Sequence, residues 1–312
     1  MMTLICGVDV SSETLDARIG PDGPAERFAN TPEGIEALAA FGQAHGVALV
    51  AMEATGGYEK LPFMLLWAHG LPCAILNPRQ VRHFAQAMGF LEKTDPIDAG
   101  LIAAFAAVKR VAPQEPAPET QQQLEALVTR LRQLTELRVA EKNRRRLVAD
   151  GGVRASIGEV IALVSRQIRS LEAAVAGLIN DDPLWRQLDQ AFRSIKGVAN
   201  RTVARLMAEM PEIGTLSNKA IAKLAGLAPL ARDSGKSNGR RPVRAGRANI
   251  RSILFVVAEI VRRFDPDFAA FHAKLNRAGK PKKLIRTALA RKLLVRLNAK
   301  ARDARAELAF AP

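Results

Sequence analysis

The chain has 312 residues, with 46 Lys and Arg against 31 Asp and Glu and a formal net charge of +15. This length allows two or three domains, each with a hydrophobic core. Two cysteines and the absence of any run of about 18 apolar residues exclude a disulfide-rich scaffold and a membrane-spanning helix. We expect Cys6 and Cys73 to be buried thiols in a reducing cytoplasm.

The positive charge is concentrated in the second part of the chain. Residues 1–112 hold 8 basic and 12 acidic residues, a balance of −4, whereas residues 113–312 hold 38 and 19, a balance of +19. Such an excess favours nucleic-acid binding that weakens as salt rises, although a solvated basic surface is the alternative. The four histidines lack ligand spacing, so zinc is not indicated.

The first part of the chain predicts hairpin strands followed by alternating strands and helices. Such an order is typical of a mixed α/β layer fold, here of the RNase H-like class. The predicted strands are 4–10, 14–19, a short one ending at Phe28, 47–53 and 73–76, and the predicted helices are 32–44, 58–69, 78–88 and 96–110.

Four carboxylates stand where a metal-dependent nuclease would need them. Asp9 and Glu53 end two apolar strands, and Asp95 and Asp98 lie three residues apart at a predicted helix start, on one helical face. Mg²⁺ takes oxygen ligands, and two ions held by such acids would stabilise the attacking and leaving oxygens of phosphodiester cleavage. Each acid alone has a simpler explanation, as a turn or helix cap or, for Glu53, as a partner of Lys60 or Arg79.

The second part of the chain is predicted to be mainly helical after a proline-rich linker at 111–118. Apolar residues recur at three- and four-residue steps from Leu124 to Leu137 and from Ile161 to Val175, which predicts two long antiparallel helices serving as a coiled-coil spacer or dimer seam. Nearer the end, 250–260 predicts a core helix, and 280–296 predicts a basic amphipathic helix for phosphate contact or a helical partner.

Two segments of this second part are candidates for DNA contact. Residues 194–203 are typical of a helix–hairpin–helix, in which Lys196, Gly197 and Arg201 would meet a phosphate, although a plain helix corner leaves a similar pattern. Residues 227–241 form a polar, glycine-rich, basic loop that can present a serine hydroxyl beside guanidinium groups.

Taken together, these motifs resemble the DEDD insertion-sequence transposases, the bridge-RNA-guided recombinases. The resemblance covers nearly the whole chain in the correct order. The matching segments are Gly7–Ser11, Met52–Tyr58, Asn77–Pro78, Lys93–Ala99, Ile195–Val203 and the stretch from Ser234-Gly235 through Gly246-Arg247. It implies a RuvC-like catalytic domain at 1–112, a coiled-coil region at 113–190 and a C-terminal transposase domain at 191–312.

The resemblance also implies roles for individual residues. Asp9, Glu53, Asp95 and Asp98 would hold Mg²⁺ or Mn²⁺, and Ser234 would be the nucleophile, with Ser237 as its rival. A serine hydroxyl is a weak nucleophile, so its attack on a phosphate needs an activating neighbour and positive charge near the developing oxyanion. The candidates for DNA contact or charge stabilisation in this loop are Lys236, Arg240, Arg241, Arg244 and Arg247.

The implied partners are double-stranded donor and target DNA, a structured guide RNA and further copies of the chain, as a dimer or tetramer, with no membrane. Three other functions stay open at this point. They are a RuvC-like endonuclease that only hydrolyses DNA, an actin-like or sugar-kinase-like ATPase suggested by 9–12, and an inactive nucleic-acid-binding relative. Tyr58 lacks the Arg and His residues of a tyrosine recombinase, which favours a packing or base-stacking role.

Overall fold

A computed structural model describes residues 4–89, 95–230, 233–234, 237–238 and 242–309, without the side chains of 95–97, 233–234 and 237–238. The chain divides into an N-terminal unit, Met1–Ala117, and a C-terminal unit, Pro118–Pro312. The three-part division at 112 and 190 stays a prediction. Among the described helices, none has the length and apolar character needed to cross a membrane.

The N-terminal unit is built on a five-stranded sheet of the order β3-β2-β1-β4-β5. The first three strands pair antiparallel, while β4 is parallel to β1 and β5 is parallel to β4. This is the RNase H-like arrangement that the sequence predicts. Its elements are β1 (Ile5–Val10), β2 (Thr14–Ile19), β3 (Ala25–Ala29), α1 (Pro32–Ala44), β4 (Leu49–Glu53), α2 (Lys60–Ala68), β5 (Cys73–Leu76), α3 (Pro78–Ala87) and α4 (Asp95–Lys109).

The alternation of side chains along β1 and β4 gives this sheet two buried faces. One face carries Cys6, Val8 and Cys73, which pack among the apolar residues of α1 and α2. Burial raises the pKa of each thiol to about 12, so both are protonated and unreactive at neutral pH. The opposite face carries Ile5 and Ala51 and is covered by α4.

The predicted linker at 111–118 is bonded to the N-terminal sheet near its start. Gln114 lies along β5: its backbone N–H donates to the Cys73 carbonyl at 2.8 Å, and its side chain bonds the N–H and C=O groups of Ile75. The chain from Arg110 to Pro118 is free of helix, as the prolines predict. Within it, Gln114 is hydrogen-bonded to the backbone of β5.

The C-terminal unit is helical, with one two-stranded hairpin. The predicted antiparallel pair is present, and Leu131 and Leu134 of the first helix pack against Val164 and Ile168 of the second. Its elements are α5 (Glu119–Leu147), α6 (Gly151–Asp181), α7 (Pro183–Arg193), α8 (Asn200–Glu209), α9 (Asn218–Leu224), β6 (Asp233–Ser234), β7 (Ser237–Asn238), α10 (Ala248–Phe264), α11 (Pro266–Arg277) and α12 (Lys282–Ala309).

The last helix, α12, is the central element of this unit and extends well beyond the predicted 280–296. Leu289, Leu293 and Leu297 are fully buried, and the helix packs against α7, α9, α10 and α11. The helical partners that its apolar face requires are thus supplied by its own chain. Several of its cations serve the fold as well, since Arg296 pairs with Asp265 and Asp267.

Candidate active site

Two of the predicted acids are neighbours at one edge of the N-terminal sheet. Val8 of β1 stands in register with Met52 of β4, so Asp9 and Glu53 are the next residues on two adjacent parallel strands. Because register partners of a parallel pair point to the same face, both carboxylates lie on the face covered by α4. Both residues are half-buried, as a site at a sheet edge requires.

A close contact at Gly7 brings α4 to the same place. A Cβ atom at Gly7 would lie 2.0 Å from the Ala99 carbonyl oxygen and 2.6 Å from the Ala103 nitrogen. No side chain fits there, so the helix backbone rests directly on β1. Asp98 precedes Ala99, and Asp9 lies two residues after Gly7 on the same face of the strand, which places the N-terminal end of α4 beside Asp9 and Glu53.

The four acids are only partly covered by the structure. Asp98 is half-buried, and Asp95 is the first residue of α4, but the side chain of Asp95 is outside the described atoms. Among the described side chains, no group of three or more His, Cys, Asp or Glu residues is arranged to hold a metal ion. The donor chemistry still fits a hard divalent cation, because every candidate ligand is a carboxylate.

Sequence analysis missed Asp16, which is a further acid on this face. Asp9 and Asp16 are register partners across the antiparallel pair of β1 and β2, so their side chains point the same way. The Asp16 carboxylate accepts a hydrogen bond from Arg27 Nε at 2.7 Å, and this ion pair offsets repulsion between the two aspartates. The turn at 11–14 sets this register, and it is the one signal that could have identified Asp16.

Glu59 is the second residue that sequence analysis missed. Its carboxylate is 8% exposed and accepts hydrogen bonds from the backbone N–H groups of Thr55 and Gly57 at 2.9 and 2.8 Å. The Thr55 hydroxyl in turn donates to the Glu53 carbonyl. Glu59 therefore fixes the loop that follows Glu53. Tyr58, in the same loop, is 53% exposed and is not a core residue.

The turn after β1 bears on the ATPase alternative. The Ser11 hydroxyl accepts from the backbone N–H groups of Glu13 and Thr14 at 3.2 and 2.8 Å, and the Asn30 side chain donates to the Ser11 carbonyl. These N–H groups are already bonded within a closed turn. A phosphate-binding loop needs such donors directed at its ligand, so this turn does not favour nucleotide binding.

In the C-terminal unit, the two candidate serines are opposite each other. Ser234 and Ser237 are register partners of the hairpin formed by β6 and β7, on either side of a two-residue connection. As register partners of an antiparallel pair, the two residues lie at the same end of the hairpin. The sequence does not distinguish the two serines as nucleophile, and their backbone positions in the hairpin do not distinguish them either.

The predicted helix–hairpin–helix corresponds to α7, a turn at 194–199 and α8. Gly197 has φ 101°, and a Cβ atom there would lie 3.1 Å from the Val261 nitrogen, so the turn requires glycine. Ala199 has ordinary extended angles, φ −104° and ψ 165°, which explains why a second glycine is unnecessary there. Ala199 gives α8 no side-chain cap, and Lys196 is exposed beside the turn.

The basic residues predicted to contact DNA differ in their surroundings. Arg201 forms an ion pair with Glu172 at 2.5 Å, and Arg247 forms a bidentate pair with Glu212 at 2.5 and 2.6 Å. Arg244 is exposed. Burial raises the pKa of Glu212, but the hydrogen bonds and charge of Arg247 outweigh it and lower that pKa below its usual range. Lys236, Arg240 and Arg241 lie outside the described residues.

Two family models match the chain: the first covers nearly all of the N-terminal unit and continues through α5, and the second lies within the C-terminal unit. A transposase model of the DEDD, IS110 type matches residues 6–151, and a model of the transposase IS116/IS110/IS902 family matches residues 189–273. Similar proteins include the pilin gene-inverting proteins of Moraxella bovis and Moraxella lacunata. Each is 29% identical over 300 residues, which cover 92% of this chain and 92% of the relative.

Solved structures of RuvC also match the N-terminal unit. RuvC of T. thermophilus in complex with a Holliday junction substrate is 15% identical and covers 35% of this chain and 98% of its own, with a TM-score of 0.26. The fold assignment therefore depends on the strand order described above and on the first family model. With transposase models matching both parts in the expected order, the chain belongs to the IS110/IS116/IS902 family of transposases and is a DNA-processing enzyme.

Proposed function

We propose that the protein is a transposase that cuts and rejoins DNA through a divalent-metal site at the N-terminal sheet and a serine hydroxyl in the C-terminal unit. The observation that supports this most strongly is the convergence of Asp9 and Glu53, on adjacent parallel strands, with the start of α4. Asp9 and Glu53 are 44 positions apart in the sequence, and α4 begins 42 positions after Glu53, so three separate segments meet at one edge there. A purely structural role for each acid would not require that meeting.

In this proposal, Asp9, Glu53, Asp95 and Asp98 hold Mg²⁺ or Mn²⁺. When bound, the ion would neutralise charge on the reacting phosphate and lower the pKa of a coordinated hydroxyl. The sheet and α4 hold the carboxylates in place before DNA arrives. Asp16 lies next to Asp9 on the same face, and its ion pair with Arg27 offsets the negative charge that it adds there.

The proposed covalent step uses Ser234. Its Oγ atom attacks the phosphorus, an Oγ–P bond forms, and the bond from phosphorus to the leaving deoxyribose oxygen breaks. The hydroxyl proton passes to a base and the leaving oxygen takes up a proton. A deoxyribose hydroxyl of another strand then attacks the same phosphorus and displaces serine, which rejoins the DNA without an external energy source.

A trap of the covalent intermediate tests this step. Full-length protein, purified together with RNA expressed from its own locus, would be incubated with Mg²⁺ and nicked duplexes from the junctions flanking its own gene. The mixture would then be denatured and digested, and the peptides analysed by mass spectrometry. We expect a nucleotide-linked peptide containing Ser234, which Ser234→Ala abolishes and Ser237→Ala retains. A linkage at Ser237 would exchange their roles, while unimpaired cleavage by Ser234→Ala would show an endonuclease that hydrolyses DNA.

The metal site has a separate test that does not depend on activity. Mn²⁺ binding would be measured by calorimetry for the wild type and for Asp9→Asn and Glu53→Gln. We expect either substitution to weaken binding by at least about tenfold, because each removes a charged ligand. Glu26→Gln, an exposed acid on β3, is the matched control and should bind Mn²⁺ as the wild type does. Equal affinities in all four proteins would contradict the proposal.

We also propose a structured guide RNA and a dimer or tetramer as partners. The +19 charge of residues 113–312 supports binding of nucleic acid in addition to a DNA duplex. Purification of the full chain from cells that express its own locus, with and without ribonuclease, would test both points. Co-purified RNA of one discrete size, with a mass of two or four chains by light scattering, is the expected result.

A further inference from the structure

The hairpin that carries the serines has a tightly closed base. Gly226 and Gly246 enclose residues 227–245, both have positive φ (68° and 69°), and a Cβ atom on Gly246 would lie 2.2 Å from the Gly226 nitrogen. Arg247 N–H donates to the Leu224 carbonyl at 2.9 Å. Arg251 donates to the Ala245 carbonyl at 2.6 Å. The two ends of the hairpin segment are therefore held in direct backbone contact.

The described stem continues from this base toward the serines. Pro229 and Val243 form an antiparallel bridge, and the Leu230 N–H donates to the Pro242 carbonyl at 3.1 Å. β6 and β7 follow at the far end. A change in the angle of the base would therefore displace the strands that contain both serines, and a small displacement of a reacting group costs a large factor in rate.

The ion pair of Arg247 connects this base to the rest of the C-terminal unit. Both guanidinium Nη atoms donate to the two carboxylate oxygens of Glu212, at 2.5 and 2.6 Å, in the fork geometry that favours arginine over lysine. Glu212 lies in the loop 210–217 between α8 and α9. A guanidinium engaged in this way has fewer donors for a DNA phosphate.

The loop that contains Glu212 is itself fixed by α12. Asn298, fully buried, accepts from the Gly214 N–H at 2.9 Å and donates to the Leu216 carbonyl at 3.0 Å. Arg305 donates to the carbonyls of Ile213 and Pro211, each at 3.0 Å. Glu212 is therefore a rigid anchor, connected through hydrogen bonds to the central helix of the unit.

We propose that Glu212 and Arg247 are positioning residues that set the angle of the serine hairpin, and that Arg247 acts on the hairpin rather than on a DNA phosphate. The functional consequence rests on the proposed serine chemistry. Glu212 has no motif around it and gives no sign of this role in the sequence. Arg244, exposed three residues before Arg247, is the residue of this stretch that is free to face DNA.

The test compares full-length Glu212→Gln, Arg247→Gln, Arg247→Lys and the Glu212→Gln/Arg247→Gln double variant with the wild type, all well below their unfolding temperatures. Arg244→Gln is the matched control. Three quantities are measured: hydrogen exchange of peptides from 227–245, DNA affinity across a salt series, and the rate of serine–DNA linkage at saturating DNA.

We expect every Glu212 and Arg247 variant to exchange faster at 227–245 and to form the linkage at least about tenfold more slowly, with DNA affinity within about twofold of the wild type. The double variant should be no worse than either single one, because both break the same contact. Arg247→Lys should behave as Arg247→Gln, since lysine cannot make the bidentate pair. Arg244→Gln should weaken DNA binding and leave both the hydrogen exchange of 227–245 and the rate of linkage at saturating DNA unchanged.

The inference is overturned if Arg247→Gln weakens DNA binding and flattens its salt dependence while Glu212→Gln does neither, or if Arg247→Lys behaves as the wild type. Additive effects in the double variant would also contradict it. If the wild type forms no serine linkage, the proposed chemistry fails. Hydrogen exchange alone then decides whether the ion pair of Glu212 and Arg247 holds the hairpin. Unchanged exchange in Glu212→Gln would show that this ion pair does not hold the hairpin.

Discussion

Gly7 determines how closely α4 approaches β1. The contact uses the smallest residue at a point where strand and helix backbones touch, two residues before Asp9 in the strand and one residue after Asp98 in the helix. An added methyl group has no space there, so the helix would have to move outward. Any such movement separates acids that come from different elements.

Substitution of Gly7 by alanine tests this dependence. We expect a loss of about 1–3 kcal/mol in the free energy of unfolding, from overpacking against the Ala99 carbonyl, and a larger proportional loss of DNA cleavage. Denaturant titration and a cleavage assay measure the two. Gly158→Ala, in α6 with open space around its Cα, is the control and should stabilise the protein slightly or leave it unchanged. A Gly7→Ala protein with normal stability and cleavage would contradict the argument.

The two cysteines give a second prediction at the scale of single residues. Because burial raises the pKa of Cys6 and Cys73 to about 12, neither should form a thiolate or react with iodoacetamide at pH 8 in the folded protein. Mass spectrometry after timed alkylation measures this. Both should react in denaturant, and rapid labelling without denaturant would show that the core is not closed as described.

A local pattern in the sequence marks some of the candidate residues and not others. Asp9 and Glu53 end apolar strands, and Gly197 stands in a recognisable turn. Asp16, Glu59 and Glu212 have no such pattern, because their importance comes from pairing register or from a partner far along the chain. Glu212 and Arg247 are 35 residues apart and meet only through the packing of several helices.

At the scale of elements, the last helix shows that a high content of Lys and Arg can hide the signal of a buried helix in the sequence. The stretch 280–296 has many Lys and Arg residues, which indicate a surface helix. In α12, however, Leu289, Leu293 and Leu297 form a buried stripe, while long cations extend around the edges to bind neighbouring elements. Lys292, for example, donates to the Asp267 carbonyl and lies over the rings of Phe268 and Phe271.

The ion pair between Asp265, at the start of α11, and Arg296 of α12 predicts a dependence of stability on pH. Burial raises the pKa of Asp265, but hydrogen bonds from Arg296 and from the Phe268 and Asp267 backbones, with the Arg296 charge, lower it below its usual range. A lowered pKa means that the stabilisation is present above the ordinary aspartate value and is lost as the pH falls through the folded value.

Asp265→Asn measures this contribution, since asparagine can still cap α11 but carries no charge. We expect it to lower the free energy of unfolding by about 1 kcal/mol or less at pH 7, and the difference from the wild type to shrink below pH 4. Urea titrations from pH 3.5 to 7 would show it. A deficit that grows as the pH falls would contradict the pKa direction. Asp303→Asn, exposed on α12, is the control.

For the whole molecule, the separation of charge predicts strongly salt-dependent DNA binding. With +19 on residues 113–312 against −4 on residues 1–112, affinity of the full chain for duplex DNA should fall by about 10³-fold or more between 50 and 200 mM salt if six phosphates are neutralised. Fluorescence anisotropy across that range gives the slope. A flat response would show that the basic residues mainly serve internal ion pairs such as that of Arg296.

The order and type of the major elements could be predicted from the sequence, because their hydrophobic periods and caps are local. The bounds of β2 and α1 match the prediction. What could not be predicted is how elements combine: that α12 is central, or that the serine hairpin is closed at its base by Gly226 and Gly246. Those features depend on contacts between segments with no shared pattern.

The parallel pairing of β1 with β4, and the placement of α4 across β1, also affect when the acids can first act together. Asp9 emerges early in synthesis, but Glu53 on the neighbouring parallel strand follows 44 residues later, and α4, which packs over β1, begins 86 residues later. A ribosome-bound fragment that ends before α4 therefore lacks two of the four acids that we propose as metal ligands. If that proposal holds, the metal site cannot form before the whole N-terminal unit has been made.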